Sequence, residues 1–176
     1  MKSARAREAE LEAYLHRHIP ISAAMGVSVR VAAPDIVRLA APLEPNLNHR
    51  STVFGGSAAA IATLAGWCLL HVNLSGAGHG SRIVIQKATV SYDRPIDDDF
   101  EAIASLPADG IWDRFTRTLE RRGRARIELA VELRLRDSTV GRFAGVYVVL
   151  PTNPGDPENE RGNGPGADPA GGSELA

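Results

Sequence analysis

The clearest pattern in the chain is a strict alternation of charged and apolar residues between positions 124 and 136. The charged positions are 124, 126, 128, 132, 134 and 136, and apolar side chains fill the places between them, with Ala130 as the single break. Successive side chains of a strand point to opposite faces, so this pattern predicts a strand with one buried and one solvated face. A turn near Asp137 and a further strand over 139–150 follow.

A second pattern, over residues 54–73, is the only long stretch that is apolar throughout. A helix that is apolar on all sides is buried on all sides. Glycine, alanine and serine fill many positions in this stretch, so a sheet can approach its backbone closely. The pattern predicts one long central helix enclosed by a sheet.

The other periodic segments are shorter, and each carries either a helical or a strand spacing of apolar residues. They predict an amphipathic helix over 4–18 that Pro20 closes, a helix over 110–123, and strands over 27–31, 37–41, 82–92 and 100–106. No repeated strand–helix–strand unit is present, which argues against a doubly wound sheet. We therefore expect an α+β fold in which a curved, mainly antiparallel sheet wraps around one buried central helix.

Composition divides the chain into a domain over 1–150 and a tail over 151–176. The tail is rich in Gly, Pro and acidic residues and has one large apolar side chain, so we expect it to be disordered. It carries five acidic residues and one basic residue, which leaves the domain with a net charge of +3 within a total of −1. That excess is too small to favour a nucleic-acid partner but suits a small anionic ligand.

Location and cofactors are constrained by what the sequence lacks. Cys68 is the only cysteine, so no internal disulfide or cysteine metal cluster is expected. The first residues contain no apolar run typical of a signal peptide. The apolar stretch over 54–70 is short for a membrane span. We expect a soluble cytoplasmic protein with no membrane partner, no bound metal and no resident cofactor.

The junction between a polar loop and the central helix, over 46–67, is the strongest candidate for chemistry. Gly55 and Gly56 let a ligand approach the backbone, and the first N–H groups of a helix have no partner inside it. Such a terminus can stabilise the oxyanion that forms when a carbonyl is attacked, and Asn48 can bind the same carbonyl or a water. Alternatively, the glycines serve helix packing and Asn48 caps a turn.

The run Asn48-x-x-Ser51-x-x-Phe54-Gly55-Gly56 resembles the Asn-x-x-Gly-x-x-His-Gly-Gly signature of hot-dog-fold thioesterases. Residues 83–96 and 121–150 resemble later strands of that superfamily. The likeness extends over about residues 10–150 and is greatest to thioesterases related to the C-terminal domain of YiiD, through Thr52 to Ser57. It implies a hot-dog fold and a homodimer or dimer of dimers that hydrolyses acyl-CoA or acyl-carrier thioesters.

The resemblance also implies roles for single residues. Asn48 matches the carbonyl-binding or water-positioning Asn, and Gly56 the glycine whose N–H polarises the thioester. Phe54 stands where His is usual, and Thr63 where many relatives have an acidic base or nucleophile. The predicted catalytic residues are Asn48, Gly56 and Thr63, with Phe54, Gly55 and Ser57 in contact with substrate. The Thr63 hydroxyl can hold a water, or it can bond the carbonyl four residues earlier.

Two further groups are predicted to bind substrate. Gln86, Lys87 and Thr89 interrupt an apolar strand that, in the superfamily, lies near the partner's helix terminus; the alternative is a wet sheet face. Arg124 and Arg126 belong to an arginine-rich stretch that suits CoA phosphates, or else a solvated surface.

Three functions fit these residues to different degrees. The first is a thioester hydrolase, with water attacking a carbonyl held by Asn48 and the Gly56 amide. The second is an acyl-CoA- or acyl-carrier-binding protein without turnover, since residues 46–73 contain no acidic side chain. A hot-dog dehydratase needs a His with an acidic partner near the helix, and the sequence offers no such pair. Acyl length and the choice between CoA and a carrier protein stay open.

Overall fold

The fold is a single curved antiparallel sheet of six strands around a long helix. The computed structural model describes residues 3–75, 81–108 and 110–151. In chain order the elements are α1 (Ala4–His18), α2 (Pro20–Ala24), β1 (Ser28–Ala32), β2 (Ile36–Ala41), a 3-10 turn (Glu44–Asn46), α3 (Gly55–Leu74), β3 (Ser81–Tyr92), β4 (Phe100–Ser105), α4 (Ile111–Arg122), β5 (Ala125–Leu135) and β6 (Ser138–Pro151). The strand order is β1-β2-β4-β5-β6-β3.

Helix α3 is the centre of the core. Ile61, Ala62, Ala65 and Leu69 along it are fully buried against the concave face of the sheet. A close approach occurs at Gly66, where an added Cβ would lie 2.4 Å from the hydroxyl of Tyr147 on β6. By length and composition α3 could also cross a membrane, but 56% of that stretch is buried inside the protein, as in the core helix of a soluble protein.

The two edges of the sheet differ. At the β1 edge, the Glu12 carboxylate of α1 accepts a hydrogen bond from the Val29 N–H at 2.8 Å, and Nε2 of His16 donates to the Val27 carbonyl at 2.8 Å. Side chains of α1 therefore form hydrogen bonds with backbone groups that an added strand would otherwise use at this edge. The opposite edge is β3, which pairs along one side with β6 and exposes most of its residues. Open strand edges invite pairing with another chain.

Helix α4 lies beside the first half of β5, where β4 has ended. It begins after Gly110 and ends at Gly123, both with positive φ, and its apolar face buries Phe115. Trp112 packs against Phe115 with ring centroids 5.3 Å apart. The opposite face of α4 carries exposed arginines.

These observations confirm the α+β hot-dog architecture predicted from the patterns. The helix predicted over 4–18 ends before Pro20 as expected. Pro20 is also the first residue of a second short helix, α2, which the patterns did not predict and where proline's missing N–H costs nothing. The strand predicted over 139–150 extends to Pro151. Of the predicted tail, residues 152–176 lie outside the described residues.

Candidate active site

The loop before α3 is anchored by a buried asparagine that the sequence patterns did not single out. The Asn46 side chain is 2% exposed and donates to the carbonyls of Met25 at 2.9 Å and Pro42 at 2.8 Å. Its own backbone carbonyl accepts from the Phe54 N–H at 2.7 Å. Asn46 thereby fixes both ends of the loop and the point at which α3 begins.

Within this loop, Asn48 forms a turn with its own neighbours. Its amide donates to Oγ1 of Thr52 at 2.9 Å and to the Val53 carbonyl at 3.3 Å. Its Oδ1 accepts from the backbone N–H groups of Arg50 and Thr52. The side chain is half-buried, and both amide hydrogens are directed into the loop. The turn-capping alternative is therefore present in this conformation, while the role in carbonyl binding stays a prediction.

The first turn of α3 offers backbone donors. The earliest intrahelical bond runs from the Ala58 N–H to the Phe54 carbonyl at 3.1 Å, so the N–H groups of Gly55, Gly56 and Ser57 precede the helical ladder. Gly56 is exposed and Ser57 is half-buried. The ring of Phe54 lies against Gly56, where an added Cβ would be 2.3 Å from Cε1 of Phe54. A larger residue at position 56 would therefore have to displace that ring.

Three exposed apolar side chains surround this terminus. Leu47 is 47%, Phe54 57% and Tyr92 53% exposed. Leu47 forms a bridge with Val53, and the Tyr92 hydroxyl donates to the Gly55 carbonyl at 2.6 Å. Burial raises the pKa of Tyr92, which keeps its phenol protonated as that donor. The rim is apolar and suits an acyl chain or a partner's surface.

The acidic groups at this end come from a distant part of the chain. The Val53 N–H donates to the Ile96 carbonyl at 2.8 Å, so the loop over 93–99 lies beside the start of α3. Asp93 pairs with Arg142, and Asp98 pairs with Arg136 at 2.7 Å. The hydrogen bond from Arg136 lowers the pKa of Asp98. Asp97 is exposed and has no ion pair among the described residues. The Asp-rich composition of this loop was the available signal, but its proximity depends on the fold.

Thr63 and Cys68 both lie on α3, and Thr63 is half-buried whereas Cys68 is fully buried. The Thr63 hydroxyl donates to the Ala59 carbonyl at 2.8 Å, which is the back-bonded alternative, and its catalytic role stays a prediction. The Thr63 carbonyl accepts from the Tyr147 hydroxyl at 2.8 Å. Cys68 is fully buried, and burial raises its pKa far above the usual range, so it is a packing residue.

The other predicted residues lie away from the start of α3. Lys87 and Thr89 pair with Val146 and Ala144 of β6, on the convex face turned away from α3. Gln86, Lys87 and Arg126 line one convex depression of about 530 Å³. Tyr92 shares a row of the sheet with Gly141 and Leu133, whereas Arg126 lies seven residues from Leu133 along β5. That separation is about 23 Å at 3.3 Å per residue. One chain therefore does not bring Arg124 and Arg126 to Gly56.

No group of three or more metal-ligating side chains forms within residues 3–75, 81–108 and 110–151. A groove of about 990 Å³ lies beside α4 and includes Arg114, Arg126 and Phe115 in its lining.

Comparison with known proteins is consistent with this geometry. The structure of a "putative thioesterase" from Shewanella oneidensis is 26% identical, with a TM-score of 0.74 over 84% of this chain and 99% of that one. A protein of unknown function from Pseudomonas aeruginosa, described as a "probable thioesterase", is 25% identical with a TM-score of 0.70 over 82% of this chain and 96% of that one. A protein of unknown function from Chlorobaculum tepidum is 26% identical with a TM-score of 0.77 over 85% and 98%.

These relatives share the full length of the domain and support thioesterase activity in general terms. The sequence model of the family described as "Putative thioesterase (yiiD_Cterm)" matches residues 8–151. The chain belongs to this YiiD C-terminal thioesterase family.

Proposed function

We propose that the protein is a cytoplasmic hydrolase of acyl-CoA or acyl-carrier thioesters and that it acts at the N-terminus of α3. The observation that carries the proposal is the exposed Gly56 at the start of a 20-residue helix, in a fold shared with the thioesterase family. Water attacks the thioester carbonyl, the C–S bond breaks, and the thiol leaves with a proton that derives from the water.

The Gly56 N–H is the principal donor to the carbonyl oxygen. The hydrogen bond from this N–H strengthens as negative charge develops on the carbonyl oxygen. The aligned peptide dipoles of α3 stabilise the same charge. Asn48 can contribute if its amide gives up the longer bond, 3.3 Å to the Val53 carbonyl, in favour of the substrate. Gly55, Ser57 and Phe54 then contact the bound thioester. Thr63 has a smaller role because its hydroxyl is occupied.

Water must lose a proton to a group outside α3, which has no acidic side chain. Of the carboxylates in the loop over 93–99, Asp93 and Asp98 are paired with arginines. Asp99 accepts a hydrogen bond from the Leu43 N–H at 2.9 Å. Asp97 follows Ile96, whose carbonyl binds Val53, and it bears no ion pair among the described residues. We infer that Asp97 is the acceptor, acting directly or through a second water.

A homodimer formed through β3 accounts for the remaining predicted residues. The β1 edge is covered by Glu12 and His16, whereas β3 is long and exposed, with Val84 and Ile85 each 38% exposed. If two β3 strands pair antiparallel about a two-fold axis near Gln86 and Lys87, each strand's beginning lies beside its partner's end.

Pairing through β3 would also bring Arg124 and Arg126 of one subunit near Gly56 of the other, although they lie far apart within one chain. Arg124 and Arg126 lie at the end of the sheet where β3 begins, while Gly56 lies where β3 ends. Antiparallel pairing brings one subunit's arginines toward the other subunit's helix terminus. The phosphates of a CoA thioester would then bind in trans, with the acyl group at Gly56.

The second candidate is an acyl-CoA-binding protein without turnover. It is favoured by one observation: the two polar side chains predicted for catalysis, Asn48 and Thr63, both form hydrogen bonds within their own segments of the chain. A thiol-release assay over acyl-CoAs of different chain length, run beside thermal-shift measurements with the same ligands, separates the two.

Hydrolysis predicts thiol release that falls about 100-fold in Gly56→Ala, because the added methyl group meets the Phe54 ring and displaces the bound carbonyl from the N–H, which the variant keeps. Wild-type turnover in Gly56→Ala would contradict the site. A rise in melting temperature with acyl-CoAs and no thiol release would favour the binding protein.

A further inference from the structure

One surface at the far end of the sheet carries a concentration of unpaired positive charge. Six exposed arginines, here called the arginine patch, lie on α4 and at the start of β5: Arg114, Arg117, Arg121, Arg122, Arg124 and Arg126. Elsewhere, Arg38, Arg134, Arg136 and Arg142 each have a carboxylate partner. Within the part of the chain that the structure describes, no ion pair involves an arginine of the patch. The patch therefore has unused capacity for anions.

The chain leaves the domain beside this patch. Val148 pairs with Arg126 and Val149 with Ala125, and β6 ends at Pro151. Pro151, the last residue of β6, therefore lies next to Arg124 and the end of α4. The position of the exit is fixed by the register of β5 against β6 and does not depend on the residues that follow.

The sequence that follows is complementary in charge. Residues 152–176 contain five acidic side chains and one arginine, and Asp156, Glu158 and Glu160 come within nine residues of Pro151. Five residues of extended chain reach at most about 18 Å, and α4, with 12 residues, is about 18 Å long. The first three carboxylates can thus reach guanidinium groups along the whole patch.

We propose that the arginine patch binds the acidic segment 152–176 of the same chain, and that this contact competes with phosphate-bearing ligands for the same guanidinium groups. Each exposed ion pair contributes little and is screened by salt. A tethered segment, however, acts at an effective concentration in the millimolar range, so several weak pairs add up to a measurable occupancy. The competition with a CoA thioester rests on the proposed function; the contact itself does not.

Zero-length cross-linking of the full chain tests the contact. Arg121→Lys and Arg124→Lys each introduce an amine that a carbodiimide can join to a nearby carboxylate, and peptide mass spectrometry identifies the partner. We expect links to Asp156, Glu158 or Glu160 at low salt, and their loss at about 0.5 M salt, where the screening length is a few ångströms. Arg50→Lys, an exposed position in the loop before α3, is the matched control and should give no such link. Links equal in yield to that control would overturn the contact, and links only between differently isotope-labelled chains would overturn its placement within one chain.

Ligand binding tests the competition without any enzymatic readout. The probe is adenosine 3′,5′-bisphosphate, which carries two phosphate groups, titrated into the full chain by calorimetry. Neutralising the tail with Asp156→Asn and Glu158→Gln should tighten binding at least three-fold at low salt and leave it unchanged at about 0.5 M salt. The charge-matched control, Glu44→Gln with Asp137→Asn, removes exposed carboxylates at the opposite end of the sheet.

Equal affinity of the tail variant and the control, or no binding by either, would overturn the competition. Because neither experiment measures thiol release, a protein that hydrolyses no thioester fails the proposed function while the tail contact is still decided by the cross-links.

Discussion

Asn48 and Thr63 show how little a residue's identity says about what its polar atoms do. Both stand at positions that a family motif predicts to be catalytic, and both use those atoms within their own segment. Thr63 donates to the carbonyl one turn earlier, a common arrangement in helices. Asn48 has two donors and only one strong bond among them, so its amide retains some freedom to bind substrate.

Asn48→Ala tests that freedom. If the amide binds the carbonyl in the transition state, kcat should fall about 100- to 1000-fold. Thr52→Val is the control because it removes the 2.9 Å acceptor of the amide while leaving the amide itself. We expect it to lower kcat less than ten-fold, as loop distortion alone would. Equal losses in the two variants would identify Asn48 as a loop support and leave Gly56 as the only carbonyl donor.

At this scale the sequence predicted that Gly56 stands at the start of a helix, while its catalytic role stays a prediction, and it did not single out the acidic groups nearby. A glycine pair at a helix start indicates accessible backbone donors from the local sequence alone, since the N–H groups of a first turn have no partner within any helix. The position of Asn46 depends on its hydrogen bond to Met25, 21 residues earlier in the chain. The position of Asp97 depends on the bond between Val53 and the neighbouring Ile96, which are 43 residues apart. No local pattern encodes such distances.

Among the elements, α1 has a role that its amphipathic pattern does not announce. Its Glu12 and His16, one turn apart, bind the N–H of Val29 and the carbonyl of Val27. The side chains replace the strand that would otherwise pair with β1 and so protect that edge.

Glu12→Ala should leave the Val29 N–H without its acceptor and lower the free energy of unfolding by about 1–3 kcal/mol. Glu12→Gln keeps a carbonyl oxygen at the same place and should lose less. Urea unfolding followed by circular dichroism measures both. A Glu12→Gln loss as large as that of Glu12→Ala would mean that the charge, and not the hydrogen bond, matters at this edge.

The contact of α1 with α3 introduces a pH dependence. Tyr14 of α1 packs against Trp67 and His71 of α3 and against His18 of its own helix. The rings of Trp67 and His71 are stacked with their centroids 4.7 Å apart. Burial, and then the neighbouring charge of His18, lower the pKa of His71. The unfolded chain therefore binds a proton at this residue before the folded chain does, and stability is lost as the pH falls below about 6.5.

His71→Phe preserves a stacked ring and removes the titration. The difference in unfolding free energy between this variant and the wild type should be constant above pH 7 and should shift in favour of the variant between pH 6.5 and 5. Urea unfolding at three pH values measures it. Parallel pH curves for the two proteins would show that His71 takes up its proton equally in both states.

At the scale of the whole molecule, the architecture was predictable because two periods dominate the sequence. Alternation over 124–136 and a helix without a polar face over 54–73 leave few folds other than a sheet around a helix. The order of strands was not predictable in the same way. The order leaves β3 at an open edge. The register places Arg126 about 23 Å along the sheet from the row of Tyr92, whose hydroxyl contacts Gly55.

That open edge leads to the last prediction, a homodimer through β3. Cys68 is fully buried and inert, so single cysteines introduced from Val84 to Thr89 would be the only reactive thiols. In an antiparallel pair about a two-fold axis, only residues next to the axis meet their own copies, so mild oxidation should cross-link one or two neighbouring positions and not the whole series. Arg30→Cys, exposed on the β1 edge that α1 covers, is the control and should stay monomeric on a non-reducing gel. Light scattering should give at least twice the 18.8 kDa chain mass at micromolar concentration. A monomeric mass, or cross-linking through Arg30→Cys instead of β3, would rule out this interface and with it the supply of Arg124 and Arg126 from the partner subunit.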